Sequence, residues 1–142
     1  MESLPPKLDV LDACRGLPTG GHPVLKCACR LGELHEQRLS ADPGYTRTID
    51  HDRAQLVSEI DRWVAAVLPP AYGTARLHTE TVGTVIDRLA QFSALAYLAL
   101  TSSADRMAQD AWRRLAELAV AYDDLVADVE AGVCRLPEVG GE

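Results

Sequence analysis

Asn is absent from the 142 residues, Lys occurs only as Lys7 and Lys26, and aromatic side chains make up 5% of the chain. Twelve of the 14 basic residues are Arg and Ala occurs 20 times, a usage that reads as GC-rich bacterial coding bias. Positive charge is also in deficit: 14 Lys plus Arg face 21 Asp plus Glu, giving a formal net charge of -7 and a pI of about 5.0. Such a balance excludes a broad attraction to phosphate backbones, and no nucleic-acid partner is expected.

Long hydrophobic runs are missing too. The longest low-charge stretch, Leu89 to Ala104, is too short for a bilayer and is interrupted by Gln91, Ser93 and Thr101. Met1 to Arg15 has no basic start followed by an apolar run, so no membrane association is expected, and the cytoplasm is the expected compartment. The four cysteines are too sparse for the disulfide framework of a small secreted domain, and free thiols are expected. Cys14, His22, Cys27 and Cys29 are a poor zinc set, because residues two apart on a helix point about 200° away from each other. Neither Glu-x-x-His nor His-Glu-x-x-His occurs, so no metal or other cofactor is expected. Walker loops, Gly-x-Gly-x-x-Gly and Gly-x-Ser-x-Gly are absent, leaving nucleotide-binding and α/β-hydrolase readings without support.

What is present is a globular composition, 47% hydrophobic and 25% charged, patterned at helical spacing with no sustained alternation. The reading is all-α: one domain over residues 1–142, an antiparallel four-helix bundle with a short additional N-terminal helix. The short helix runs from Lys7 to Arg15, and Pro18, Gly20, Gly21 and Pro23 mark 16–23 as a linker. A second helix runs from Pro23 to Ala41, buries Val24, Ala28, Leu31, His35 and Leu39, and is stopped by Asp42, Pro43 and Gly44. A third, Thr46 to Leu68, aligns Ile49, Arg53, Leu56, Ile60, Trp63 and Val67 and ends at Pro69 and Pro70.

Residues 69–78 form a long loop, a common location for functional groups above a bundle end. Thr79 or Thr81 caps a helix reaching Leu100 through Val82, Ile86, Leu89, Ser93 and Ala96. Thr101, Ser102 and Ser103 supply the cap for a last helix, Ala104 to Val133, with Met107, Ala111, Leu115, Leu118, Tyr122, Leu125 and Val129 on its stripe. Residues 137–142 read as a frayed tail. Trp63, Trp112 and the tyrosines are placed mainly in the core.

Three polar clusters carry the candidate chemistry. His78-Thr79-Glu80-Thr81-Val82-Gly83 opens a helix, and Asp87 lies seven positions after Glu80 on the same face; Gly83 between them removes bulk where a helix or ligand could approach. In Ile49-Asp50-His51-Asp52-Arg53, Arg53 is the odd member of an apolar stripe, and Asp50, Val57, Asp61 and Val64 share a flank. Either Asp50 pairs with Arg53 structurally, or Arg53 holds a substrate anion beside a carboxylate base. The third cluster is Leu34-His35-Glu36, with His35 on the buried stripe.

These clusters resemble a family of bacterial proteins known as domain of unknown function 4254. The match rests on Thr79-Glu80-Thr81-Val82-Gly83 running into Ile86-Asp87-Arg88-Leu89, supported by Ile49-Asp50, Ile60-Asp61 and Leu34-His35-Glu36, over about Gly21 to Pro137. The chain departs from the pattern at Gln37 and Arg38, where a second acidic residue is expected, and in lacking an Asn near Arg53. The resemblance implies a helical protein and ties the clusters together.

The leading expectation is a bundle that binds a small molecule and performs metal-free acid and base work of the isomerase, cyclase or lyase type. His35, Glu36, Asp50, Glu80 and Asp87 are the candidate catalytic residues; Arg53, His78, Arg88 and Tyr97 are the candidate substrate-binding residues. The alternative is a non-enzymatic interaction bundle, forming a homodimer or binding another protein, in which the ion pairs set packing specificity.

Overall fold

The computed structural model describes residues 3–101 and 105–138. It is an all-α bundle of five helices, α1 (Lys7–Cys14), α2 (Pro23–Ser40), α3 (Pro43–Val67), α4 (Val82–Leu100) and α5 (Asp105–Glu130). Two short strands, β1 (Arg76–Leu77) and β2 (Cys134–Arg135), pair in parallel.

Side-chain pairs set the helix directions. Cys27 meets Glu59 and Arg38 meets Asp50, so α2 and α3 run antiparallel. Asp61 meets Gly83 and Arg53 meets Asp87, so α3 and α4 are antiparallel as well. Helix α4 is the hub and touches every other helix. Helix α5 packs on α4, α1 and β2 but not on α2 or α3. The short α1 packs on α2, α4 and α5, so four long helices and one short N-terminal helix make up the bundle, as the helical spacing leads one to expect.

The core follows from the helical period. Val24, Ala28, Leu31 and His35 of α2, Ile49 and Ile60 of α3, and Val82, Ile86, Leu89, Ser93 and Ala96 of α4 are buried. The stripes lose their cover at the ends, where Leu39, Leu100 and Met107 are exposed. Tyr122 is fully buried and its hydroxyl donates to the Pro5 carbonyl at 2.7 Å, while Asp123 accepts the Lys7 N–H at 2.9 Å. Together they pin the segment that starts α1 onto α5. Tyr45 and Tyr72, expected in the core, are exposed, and Tyr97 is partly so.

Several boundaries differ from the sequence expectation for local reasons. Asp42-Pro43-Gly44, read as a stop, begins α3: Pro43 occupies the first helical turn, where no N–H is needed, and only Ala41 and Asp42 separate the helices. The last helix ends at Glu130 and not at Val133, because Gly132 takes φ 79° and turns the chain into β2. Cys134 therefore lies in a strand. Thr81 caps α4, its hydroxyl accepting the Thr84 N–H at 3.2 Å. The cap expected from Ser102 and Ser103, and the tail after Glu138, lie outside the described residues.

The 69–78 loop is stitched to the chain that leaves α5. Tyr72 N–H donates to the Gly132 carbonyl at 3.0 Å, Arg76 N–H to Val133 at 3.2 Å, and His78 N–H to Arg135 at 2.8 Å. These bonds bring the end of α3, the start of α4 and the end of α5 to one end of the bundle.

Candidate functional site

Five of the polar side chains singled out above, or their direct partners, form a continuous chain across three helices. His35 on α2 contacts Asp87 on α4, with Nε2 2.8 Å from Oδ1. Arg53 on α3 grips the same carboxylate through Nε at 3.2 Å and Nη2 at 2.7 Å. Its Nη1 reaches Asp50 at 2.7 Å, and Arg38 closes the chain with two bonds to Asp50 at 2.8 and 3.0 Å. Burial raises the Asp87 carboxyl, but hydrogen bonds from His35 and Arg53 outweigh it and hold the group below the usual range. Asp87 is thus an acceptor, and His35 Nε2 must donate. Asp50 is lowered to about 2, first by the Arg38 hydrogen bond.

The cations and carboxylates of this chain satisfy one another. That arrangement ties α2, α3 and α4 together, and the bidentate Arg53–Asp87 bond fixes their relative rotation.

The other expected site residues lie apart from it. Glu36 is exposed and pairs with Arg15 at the end of α1 at 3.0 Å. Glu80 pairs with Arg88 across the first turns of α4. His78 closes a local turn, its Nδ1 3.1 Å from the Glu80 N–H. Tyr97 packs edge-on to Trp112 with centroids 4.9 Å apart, and the Arg15 guanidinium lies 3.6 Å over its ring.

A second polar centre sits at the bundle end beneath the 69–78 loop. Asp61 of α3, which sequence reasoning noted only as part of a flank, is 7% exposed, the most buried carboxylate among the described residues. Its Oδ1 accepts the Gly83 N–H at 2.7 Å. Gly83 is required there: a Cβ would stand 2.5 Å from the Val57 carbonyl and 2.7 Å from Asp61 Oδ1. Burial pushes the Asp61 carboxyl up, against the opposing pull of hydrogen bonds from Thr81 and Gly83. Among the described residues Asp61 makes no ion pair.

Asp61 lines a cavity of about 620 Å³. Val64, Leu68, Pro70, Val129 and Leu136 make much of its wall, with Thr81, Cys134, Arg135 and Glu138 adding polar groups. None of His35, Asp50, Arg53 or Asp87 lines it. The signal available in the sequence was Asp61 itself, a carboxylate one step from Ile60 and three from Val64.

The cysteines are free thiols, Cys14 and Cys27 buried and Cys29 and Cys134 partly so. Among the described residues no three His, Cys, Asp or Glu side chains gather as a metal-holding group, and no helix is long and apolar enough to cross a membrane.

The architecture and motifs define a helical protein of a family known by its sequence. Residues 44–137 match the model described as "Protein of unknown function (DUF4254)", and the chain belongs to that family. The match takes in the Asp50–Arg53 and Thr79–Leu89 clusters but begins after α2, so Leu34-His35-Glu36 lies outside it. No curated protein and no solved structure matches the chain.

Proposed function

We propose that the bundle binds a small molecule in the cavity beneath the 69–78 loop, with Asp61 as the group that takes or gives a proton there. The observation that carries this reading is the position of Asp61: a carboxyl buried to 7% exposure, raised by that burial, on the wall of a cavity of about 620 Å³. A carboxyl raised toward neutrality can serve as acid or base, the chemistry of isomerisation, cyclisation or elimination. The His35–Asp87–Arg53–Asp50–Arg38 chain is the scaffold that holds α3 and α4 at the spacing the cavity requires.

A fragment library screened by NMR tests this reading. Hits should shift the amides of Thr81 and Gly83, and the shifts should vanish in Ala65→Trp, which fills the cavity from an exposed position on its wall. No hits, or hits that survive Ala65→Trp, would reject it.

A second reading rests on another surface. Phe92, Leu95, Leu98, Ala99, Met107 and Ala111 line an apolar groove of about 400 Å³ between α4 and α5, and Leu95, Leu98 and Met107 are exposed. Such a face suits a second copy of the chain. Sedimentation equilibrium should then show a dimer that Leu98→Asp dissociates; a wild-type monomer at high concentration removes this reading.

A further inference from the structure

Asp61 and Asp87 differ in what neutralises them. Asp87 has the His35 ring and the Arg53 guanidinium within 3.2 Å. Asp61 has the Gly83 backbone N–H, a neutral donor, and no cation among the described residues. Buried charges are as a rule paired, because an isolated ion loses its hydration without return. A carboxylate has about four lone-pair sites, so the bond from Gly83 leaves acceptor capacity on Asp61. Because the residue lines the cavity, a cation could reach it there from solvent.

The rest of the lining narrows the class. Arg135 and Glu138 are exposed and of opposite sign, so their charges offset and leave that of Asp61 in excess. An anion entering the cavity would meet that charge within a protein of net charge -7; a cation would be attracted by both. A fully hydrated metal ion gains nothing from Val64, Leu68, Val129 and the prolines, whereas a ligand with a hydrocarbon body does.

We propose that the ligand is an organic ammonium, a primary or secondary amine on an apolar body, whose N–H groups donate to the Asp61 carboxylate while the body packs on Val64, Leu68 and Val129. Resting on the cavity reading above, this assigns Asp61 the role of counter-ion. The bound cation favours the ionised carboxylate over the protonated form, so affinity rises with pH as Asp61 ionises.

Three probes of one size and different charge separate the class from the cavity itself: 2-phenylethylamine, 2-phenylethanol and 3-phenylpropanoate, titrated into the full chain at pH 7 and followed by amide NMR shifts. The amine should bind at least tenfold more tightly than the alcohol and shift Thr81 and Gly83. Asp61→Asn keeps a carbonyl oxygen to accept the Gly83 N–H and removes the charge; it should bring the amine to the level of the alcohol. The wild-type pH series gives the same information without a variant, with affinity rising from pH 4 to 8 for the amine and flat for the alcohol. Equal binding of amine and alcohol, unchanged in Asp61→Asn and across pH, would overturn the ammonium assignment and leave the cavity reading standing. If none of the three binds, or binding persists in Ala65→Trp, both fall.

Discussion

Asp61 and Gly83 fix the approach of α3 to the start of α4: the carboxylate accepts the Gly83 N–H at 2.7 Å, and the missing Cβ lets the Val57 carbonyl come close to the same residue. The bond satisfies one of the N–H groups that a helix start leaves without an internal partner. It also places a carboxylate near the positive end of the α4 dipole, a favourable position for an anion.

Gly83→Ala should therefore destabilise despite the better helix propensity of Ala. Propensity favours the variant by about 1 kcal/mol. A methyl group 2.5 Å from the Val57 carbonyl must push backbone apart, and overpacking of this kind costs about 1–3 kcal/mol. Urea unfolding should show a net loss of up to about 2 kcal/mol with unchanged slope. A variant more stable than the wild type by the full propensity gain of about 1 kcal/mol would show that the helices separate without cost.

The ion-pair chain should be graded by burial. Arg53→Ala and Asp87→Asn each leave partly buried partners unmatched, and a loss near the lower end of the 3–5 kcal/mol for broken buried pairs, about 3 kcal/mol, is expected. Asp50→Asn removes the charge of a side chain that is 40% exposed and should cost under about 1 kcal/mol. A double-mutant cycle on Arg53 and Asp87 should return a coupling larger than one on Arg38 and Asp50. Equal and small effects at all three positions would mean that the chain does not hold the helices.

Much of this arrangement was legible in the sequence. The stripes of α2, α4 and α5 repeat at helical spacing, and Pro23 and Thr81 mark starts that the structure keeps. The start of α3 was not, because Asp42-Pro43-Gly44 serves equally to end one helix or open the next. Strands β1 and β2 are two residues each and held by backbone bonds, so they leave no alternation in the side chains. His35 and Arg53 stood out as polar residues on apolar stripes, and Asp50 and Asp87 as members of polar clusters. Their convergence depends on how α2 meets α4, which no local spacing specifies. Asp61 was visible as a carboxylate beside apolar neighbours, but its lack of a cation is a property of what surrounds it in space.

Acid and base should act on Asp61 and on the ion-pair chain in opposite directions. The Asp61 carboxyl is raised in the folded state, so its contribution is fully present below the usual carboxyl range and is lost as pH rises through the folded value. Asp50 and Asp87 are lowered, so theirs is present above that range and is lost as pH falls. Asp61→Asn cannot ionise. Its stability relative to wild type should therefore improve between pH 4 and pH 8 in paired urea titrations, whereas that of Asp87→Asn should worsen. A pH-independent difference for Asp61→Asn would show that burial does not perturb the group.

Thiol reactivity reports on both the core and the cavity. Cys14 and Cys27 are each pushed up to about 12, chiefly by burial, with Glu59 adding to the effect at Cys27. Only the thiolate alkylates, and four pH units below such a value about one thiol in ten thousand is ionised. At pH 8 iodoacetamide should modify the partly exposed Cys29 and Cys134 first, with Cys14 and Cys27 following on the time scale of opening. Cys134 lines the cavity and Cys29 does not, so 2-phenylethylamine should slow modification of Cys134 and leave Cys29 unchanged. Mass mapping after partial labelling reads all four sites in one sample. Protection of Cys29 and Cys134 alike would point to a global stabilisation of the fold; protection of Cys134 alone requires the amine to sit where Asp61 lies.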